Sequence, residues 1–232
     1  MRVALKIRVV VAAGVAGVAV VLWLCLSPST RAWVGQHTGG VFGAYAGSSS
    51  CRECHESFYE KWAPSHHGKA MQPVTAAFVQ TELTPLEAPL TVRGQTYRVD
   101  LGERQLVETA KDGKVTRYTL QHAMGGKNVF YFLTLLDKGK LQVLPLAYNA
   151  RERKWYDTTG SMLRHFAESG DEALDWRDPM LTFNTACFSC HVSQLAKNYD
   201  SEKDSYTTVW REPGISCESC HGPAEKHNRL CR

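Results

Sequence analysis

The segment Cys51-Arg52-Glu53-Cys54-His55 has the pattern Cys-x-x-Cys-His, and the chain contains this pattern three times. The other copies are Cys187-Phe188-Ser189-Cys190-His191 and Cys217-Glu218-Ser219-Cys220-His221. Two thiols three positions apart on a helical turn reach both vinyl groups of one haem, and the adjacent histidine then faces the iron. The pattern therefore predicts three covalently attached c haems. Their attachment residues are Cys51, Cys54, Cys187, Cys190, Cys217 and Cys220, and their proximal iron ligands are His55, His191 and His221.

Zinc is the alternative that Cys-x-x-Cys pairs raise, because two pairs can supply four thiolates to one metal ion. The two pairs of such a site usually lie about 12 to 20 residues apart. Here the pairs begin at residues 51, 187 and 217, their number is odd, and a histidine follows each of them. These features favour haem attachment over structural zinc.

Composition narrows the class of protein before any further motif is considered. The 232 residues are 44% apolar and 22% charged, which excludes a disordered or collagen-like chain and predicts a globular domain. The net charge is +4, but Arg2, Lys6 and Arg8 lie ahead of an apolar run, and the remainder is nearly neutral. The chain therefore has no basic arm for binding nucleic acid.

Residues 1–26 are predicted to direct the chain to a membrane. Val9 to Leu26 is an uncharged run of 18 residues, long enough to cross a bilayer. A secretory signal peptide has the same pattern, but Thr30-Arg31-Ala32 is a poor cleavage site and Ala44-Tyr45-Ala46 lies far downstream. We expect an uncleaved anchor, with a cleaved signal peptide as the alternative. Either way, the basic residues stay in the cytoplasm and the rest reaches the periplasmic side, where bacteria attach haem c.

The remaining chain divides into a linker and one predicted haem domain. Residues 27–50 contain five Gly, five Ser and no acidic residue, which is typical of a flexible tether. Residues 51–232 form the domain, with a β-rich insertion at about 88–158. We predict an α+β fold in which short haem-binding helices and loops pack on the three haems, with the antiparallel β insertion between the first and second haem sites.

The insertion is predicted from runs rich in Thr, Val, Tyr and Phe. These runs are Leu90 to Leu101, Gln105 to Leu120 and Val129 to Ala147, and Asp112-Gly113 and Lys138-Gly139 provide tight turns between strands. One antiparallel sheet of four to six strands is expected, closed by Lys154-Trp155-Tyr156. After Asp171 we expect short helices and turns, with four aromatic residues against the haems: Trp176, Phe183, Phe188 and Trp210.

Other histidines are available for the sixth position of the three irons. The set is His37, His66, His67, His122, His165 and His227, and the thioethers of Met71, Met124, Met162 and Met180 are chemically possible. We expect His67 and His227 to be distal ligands, with His66 as a competitor of His67. Gly222 and Pro223 end the third haem-binding helix, so His227 can turn toward a neighbouring iron. His122 is a third candidate, at the end of a strand facing Gly125-Gly126.

Six segments carry a resemblance to a known family: Cys51 to Met71, Gly139 to Pro145, Lys154 to Tyr156, Asn184 to Ala186, Asn198 to Asp200 and Gly214 to Pro223. They resemble an exported family of multihaem c-type cytochromes whose relatives include nitrifier tetrahaem cytochromes and hydroxylamine-oxidoreductase-like haem cores. Many members of this family continue into tetratricopeptide repeats. The resemblance covers residues 50–229. It implies that His67, rather than His66, is the histidine of a Ser-x-His-x-x-Ala-Met motif, and that His227 is a ligand.

The family usually carries further haem sites downstream, whereas this chain ends at Leu230-Cys231-Arg232, so we expect a C-terminally truncated form. We expect electron transfer between a membrane quinol oxidiser and another redox protein, rather than catalysis. The alternatives are an oxidoreductase that acts on a small nitrogen or sulfur compound at an open iron, and a gas sensor or interaction scaffold. The sequence does not indicate an oligomeric state.

Overall fold

The computed structural model describes residues 42–161 and 173–231. Its helices are short apart from the first, and every Cys-x-x-Cys-His segment lies at or in one of them. The helices are α1 (Ser48–Trp62), α2 (Ala76–Glu82), α3 (Thr158–Ser161), α4 (Phe188–His191), α5 (Cys217–His221) and α6 (Glu225–Cys231). The haem-attachment segments belong to α1, α4 and α5, so these three helices are the elements that carry the site.

Among the described residues, nine strands lie between the first and second haem-attachment segments. They are β1 (Met71–Pro73), β2 (Leu90–Val92), β3 (Gln95–Asp100), β4 (Gln105–Thr109), β5 (Val115–Thr119), β6 (His122–Met124), β7 (Val129–Leu135), β8 (Leu141–Asn149) and β9 (Lys154–Asp157). All their pairings are antiparallel. Strands β2 to β5 form a four-stranded sheet in chain order, and a five-stranded sheet has the order β1-β6-β7-β8-β9.

The turn between β4 and β5 follows from the sequence. Gly113 has a φ of 83°, a left-handed conformation that glycine adopts without steric cost. The Asp112 side chain accepts a hydrogen bond from the N–H of Lys114 at 3.0 Å, as aspartate often does in turns. The dipeptide Asp112-Gly113 therefore places the turn where it was predicted.

The five-stranded sheet is covered by apolar side chains on both faces. In β7, Phe130 and Phe132 pack into one cluster, while Leu133 packs into another with Tyr131 at its margin. This division follows the two-residue alternation of a strand. Strand β8 is buried over almost its whole length, and its pairing with β7 is irregular around Pro145, which has no N–H for the ladder. Cys187 packs against the second cluster, so this face of the sheet supports the second haem-attachment segment.

Two small antiparallel sheets follow the second segment. Strand β10 (Val192–Ala196) pairs with β13 (Val209–Pro213), and β11 (Tyr199–Asp200) pairs with β12 (Ser205–Tyr206). Helix α4 leads directly into β10, and β13 leads through residues 214–216 into α5. Because Val192 pairs with Pro213, the end of α4 lies next to the chain that enters α5.

The α+β class is confirmed, but the expectation of one sheet in the insertion is wrong. The N–H of Leu120 bonds to the carbonyl of Arg104 at 2.8 Å, whereas the N–H of Gln121 bonds to that of Leu133 at 2.9 Å. The chain therefore leaves the four-stranded sheet and enters the five-stranded one between two adjacent residues. Strands β10 to β13 were not predicted either, because they are short and their pairing is set by tertiary contacts.

The prediction for Trp176 is also wrong. This side chain is 3% exposed and packs into the core cluster of the β insertion. Its ring meets Tyr118 edge to face at 5.1 Å, and the guanidinium of Arg177 lies 4.2 Å from its centre. The other three aromatic residues lie in the second cluster or pack against it, as Cys187 does: Phe183, Phe188 and Trp210.

Candidate haem sites

Helix α1 presents the first haem-attachment segment with a break at its histidine. His55 has φ −120° and ψ 42°, outside the helical range, so the helical turn from Cys51 to Cys54 ends there and a second helical stretch begins. Gly47 precedes the helix with a φ of 88°. Cys51 and Cys54 therefore share one helical turn, and the backbone changes direction at His55.

The third segment forms α5, which ends as the sequence predicts. Gly222 has a φ of 81° and caps the helix, and α6 begins at Glu225 after Pro223. His227 lies within α6, one turn before Cys231. The Cys231 sulfur lies 3.7 Å from Nδ1 of His227, so the other ring nitrogen, Nε2, is the one left for a metal.

The first and third segments line one cavity of about 670 Å³. This volume falls within the range of about 300 to 1,000 Å³ that is usual for cofactor sites. The cavity residues able to attach or ligate haem are Cys51, His55, His67, Cys217, Cys220, His221 and His227. The structure therefore brings together two predicted proximal ligands and the two preferred distal ligands. This set of thiols and imidazoles fits haem c.

His55 and His227 face each other across this cavity. Their ring centroids lie 6.4 Å apart and the ring planes differ by 18°. Two imidazoles that bind one metal ion from opposite sides, each through a nitrogen about 2.0 to 2.1 Å from the metal, have centroids roughly 6 Å apart. The centroid separation and the nearly parallel ring planes are compatible with ligation of one iron by His55 of the first segment and His227, which follows the third segment.

Gly214 and Ile215 hold His67 beside the third segment. The N–H of Ile215 donates to the carbonyl of His67 at 2.9 Å. Gly214 has a φ of 80°, and a Cβ at this position would lie 2.7 Å from the same carbonyl oxygen. Only glycine permits so close a backbone approach. Trp62, at the end of α1, adds a hydrogen bond from Nε1 to the carbonyl of Ile215 at 2.8 Å.

The second segment occupies a separate place against the five-stranded sheet. Nδ1 of His191 lies 2.7 Å from the carbonyl oxygen of Ala70. A backbone carbonyl that binds Nδ1 orients the ring and leaves Nε2 for the iron, which is the usual arrangement of metal-binding histidines. Burial, followed by the charge of Cys190, raises the pKa of the Cys187 thiol. The residues from His67 to Ala70 therefore contact both the second and the third segments.

His122 does not line the shared cavity. Its ring meets Trp210 edge to face with the centroids 5.2 Å apart, and burial lowers its pKa to about 4. Trp210 and Cys187 both pack against the second cluster. Gly126 was expected to face His122, but it lies against His66. A Cβ on Gly126 would be 3.5 Å from Nδ1 of His66.

The remaining sixth-ligand candidates have different surroundings. Met71 and Met124 are buried in the cluster beside the second segment, and Met180 is largely exposed. His37, His165 and Met162 lie outside the described residues, as does the predicted anchor at residues 1–26. In the described part of the chain, no helix is long and apolar enough to cross a membrane. Within the same residues, no group of three Cys, His, Asp or Glu side chains is arranged to hold a bare metal ion.

Sequence reasoning missed the contacts that join the first and third segments. Glu218, inside the third segment, is 3% exposed and accepts hydrogen bonds from the N–H groups of Ala46 and Gly47 at 2.9 and 2.8 Å. The hydroxyl of Ser48 accepts from the N–H of Cys217 at 3.1 Å. The sequence shows the acidic residue between the two attachment cysteines, but it does not show its hydrogen-bond partners, because they are distant in the chain.

Comparison with known proteins agrees with the haem assignment. Residues 50–90 and 152–222 match the family model described as cytochrome c554 and c-prime. The two matched parts contain all three attachment segments and flank residues 91–151, where most of the β insertion lies. The match does not by itself show the nitrifier or hydroxylamine-oxidoreductase-like subgroups that the segments resemble, and no curated protein matches significantly.

Two solved structures are similar to the chain at 18% identity. The outer cell wall cytochrome OcwA covers 80% of this chain with a TM-score of 0.49, and the undecaheme cytochrome from the S-layer of Carboxydothermus ferrireducens covers 79% with a TM-score of 0.44. The chain spans 33% and 21% of those proteins, respectively. The attachment segments and the match to the cytochrome c554 and c-prime model together identify the chain as a multihaem c-type cytochrome.

Proposed function

We propose that this protein transfers electrons through three covalently bound c haems and is held at the periplasmic face of the inner membrane by residues 1–26. The observation that carries the proposal is the cavity shared by the first and third segments, which is lined by His55, His67, His221 and His227. These four histidines could hold two haem irons with two imidazoles each, which would leave no position on either iron for a substrate and would suit electron transfer.

The chain supplies the iron ligands in pairs. His55 and His227 form one pair, on the strength of their facing rings. His221 pairs with His67, which the Gly214 contact holds beside the third segment. A bound haem iron accepts and releases one electron, and its axial ligands and burial set its potential. The protein orients the imidazoles through hydrogen bonds such as that of His191 to Ala70.

The second segment requires a sixth ligand from elsewhere. We assign His122 to this role, because its ring contacts Trp210, which packs with Cys187 against the second cluster. The competing function, oxidation or reduction of a small nitrogen or sulfur compound, would belong to this iron if its sixth position were open. The observation in its favour is that Cys187, Cys190 and His191 do not line the shared cavity, so the pairs of histidines found there do not extend to this iron.

Electron paramagnetic resonance of the oxidised full-length protein, with a pyridine haemochrome count of haem per chain, tests the proposal. We expect three haems per chain, all low-spin and all reversibly reducible by dithionite. Three haems with one high-spin signal would instead support the enzyme reading, and that signal should shift when a small ligand such as nitrite is added. Fewer than three haems would contradict the assignment of the segments.

The proposed place in the cell rests on the N-terminal sequence. Fractionation of cells that express the full chain should find the haem protein in the membrane fraction, released by detergent and not by high salt. Recovery in the soluble periplasmic fraction would show a cleaved signal peptide in place of the anchor. The partners are expected to be a quinol-oxidising membrane protein and a second redox protein, and closer kinship to nitrifier cytochromes stays a prediction.

A further inference from the structure

Glu218 is a buried acidic residue at the junction of two haem-attachment segments. It lies between Cys217 and Cys220 of the third segment, is 3% exposed and lines the shared cavity. The haem-attachment chemistry uses only the cysteines and the histidine of such a segment. Nothing in the proposed ligand set therefore accounts for a carboxylate at this place.

All three hydrogen-bond partners of Glu218 are backbone donors. Oε1 accepts from the N–H groups of Ala46 at 2.9 Å and Ala224 at 2.7 Å, and Oε2 accepts from Gly47 at 2.8 Å. An ionised carboxylate satisfies such a set, since it has acceptors only. Across residues 42–161 and 173–231, Glu218 makes no ion pair. Its negative charge is therefore held by amide dipoles and is not cancelled by a cation.

The charge lies close to both segments. Gly47 is the residue before α1, which carries the first segment, and Ala224 follows the third. The pKa of the free Cys51 thiol is raised by burial first, then by the charge of Cys217 and, further, by the charge of Glu218. The carboxylate thus acts electrostatically on the first segment although it belongs to the third.

We propose that Glu218 lowers the reduction potentials of the haems at the first and third segments relative to the second. Reduction adds one electron to a ferric centre, and a fixed negative charge nearby favours the oxidised form. An electron that enters the protein would then reside preferentially on the haem of the second segment, at His191. This inference rests on the proposed electron-transfer function and deepens it.

Glu218→Gln in the full-length protein is the direct test, with the haem absorbance followed during potentiometric titration against dithionite. We expect two of the three transitions to move to higher potential. Each reduction equilibrium constant should rise about tenfold, which is about 59 mV for a one-electron couple. The third transition should stay in place. A haemochrome count on the same sample shows that all three haems are attached.

Glu212→Gln is the matched control. Glu212 also holds the start of α1, because its carboxylate accepts the N–H of Ser48 at 2.9 Å and the Ser48 hydroxyl at 3.0 Å, but it does not line the cavity. This variant should leave all three potentials unchanged. Equal shifts in both variants would mean that the place of Glu218 in the cavity has no effect of its own on the potentials, and the inference would be overturned.

Ala224→Lys provides an independent measurement if Glu218→Gln does not attach haem. It keeps Glu218 and places an ammonium group beside it, on the residue whose N–H binds Oε1. The same two transitions should rise. If the unaltered protein has reversible haems but the potentials do not shift in Ala224→Lys or in haem-loaded Glu218→Gln, the inference is overturned while the proposed function stands. Absence of reversible haem reduction in the unaltered protein would overturn the proposed function itself.

Discussion

Gly214 and His67 are in direct backbone contact, although one precedes the third haem-attachment segment and the other follows the first. A Cβ at residue 214 would lie 2.7 Å from the His67 carbonyl oxygen and 2.9 Å from that of Gly68. The same His67 carbonyl accepts the N–H of Ile215 at 2.9 Å. This contact holds the turn at His67 and Gly68 beside the cavity, and it is possible because residue 214 has no side chain.

Gly214→Ala is expected to displace His67 from the third iron. The alanine methyl group would overlap two carbonyl oxygens, and the φ of 80° adds strain for any residue with a Cβ. We expect a high-spin signal in the electron paramagnetic resonance spectrum in place of one low-spin haem. Gly222→Ala is the control, since Gly222 has a φ of 81° but no atom within 4 Å of a Cβ there. An equal high-spin signal in both variants would mean that backbone strain alone causes the effect, without displacement of His67.

His227→Ala should convert the first haem from low-spin to high-spin, because it removes the imidazole that faces His55. The haem count should stay at three, since His227 takes no part in attachment. Arg229→Ala, two residues along α6, removes only an exposed ion pair with Glu225 and serves as the control. An unchanged low-spin spectrum in His227→Ala would contradict the pairing of His227 with His55.

Asn184→Ala is expected to destabilise the fold by about 2 to 3 kcal/mol. Asn184 is fully buried, accepts the N–H of Leu141 at 2.7 Å and donates to the Thr208 hydroxyl at 2.7 Å. Its removal leaves that buried N–H without a partner. Denaturant titration of the haem-loaded protein measures the loss. Thr185→Ala, at the exposed neighbour, should change the free energy of unfolding by less than about 0.5 kcal/mol.

Stability should fall as the pH rises from about 10 to about 12, in part because of Tyr97. Burial, followed by the charge of Glu108, raises the pKa of Tyr97 from its usual value of 10.0 to about 12. Between these two values the unfolded chain loses the phenolic proton while the folded chain retains it, so unfolding is favoured. Below pH 10 this contribution is fully present. Tyr97→Phe should show a shallower decline in urea midpoint over this range, and an identical decline would contradict the assignment.

The sequence by itself determined the chemistry of the site. The three Cys-x-x-Cys-His segments are local, since thioether attachment and proximal ligation both need residues within one helical turn. The α+β class and the turn at Asp112-Gly113 also follow from short-range patterns of side chains and backbone conformation. Local patterns suffice for these features because the groups that interact are neighbours in the chain.

Only the tertiary structure decided which segments share a cavity and which histidines face each other. The strands from Leu90 to Asp157 form two sheets because hydrogen-bond partners change between Leu120 and Gln121, and no local pattern marks that change. Likewise, the hydrogen bond from Trp62 to Ile215 and those from residues 46 and 47 to Glu218 join parts far apart in sequence. Such contacts depend on packing and backbone approach across the whole fold, which residue spacing alone does not encode.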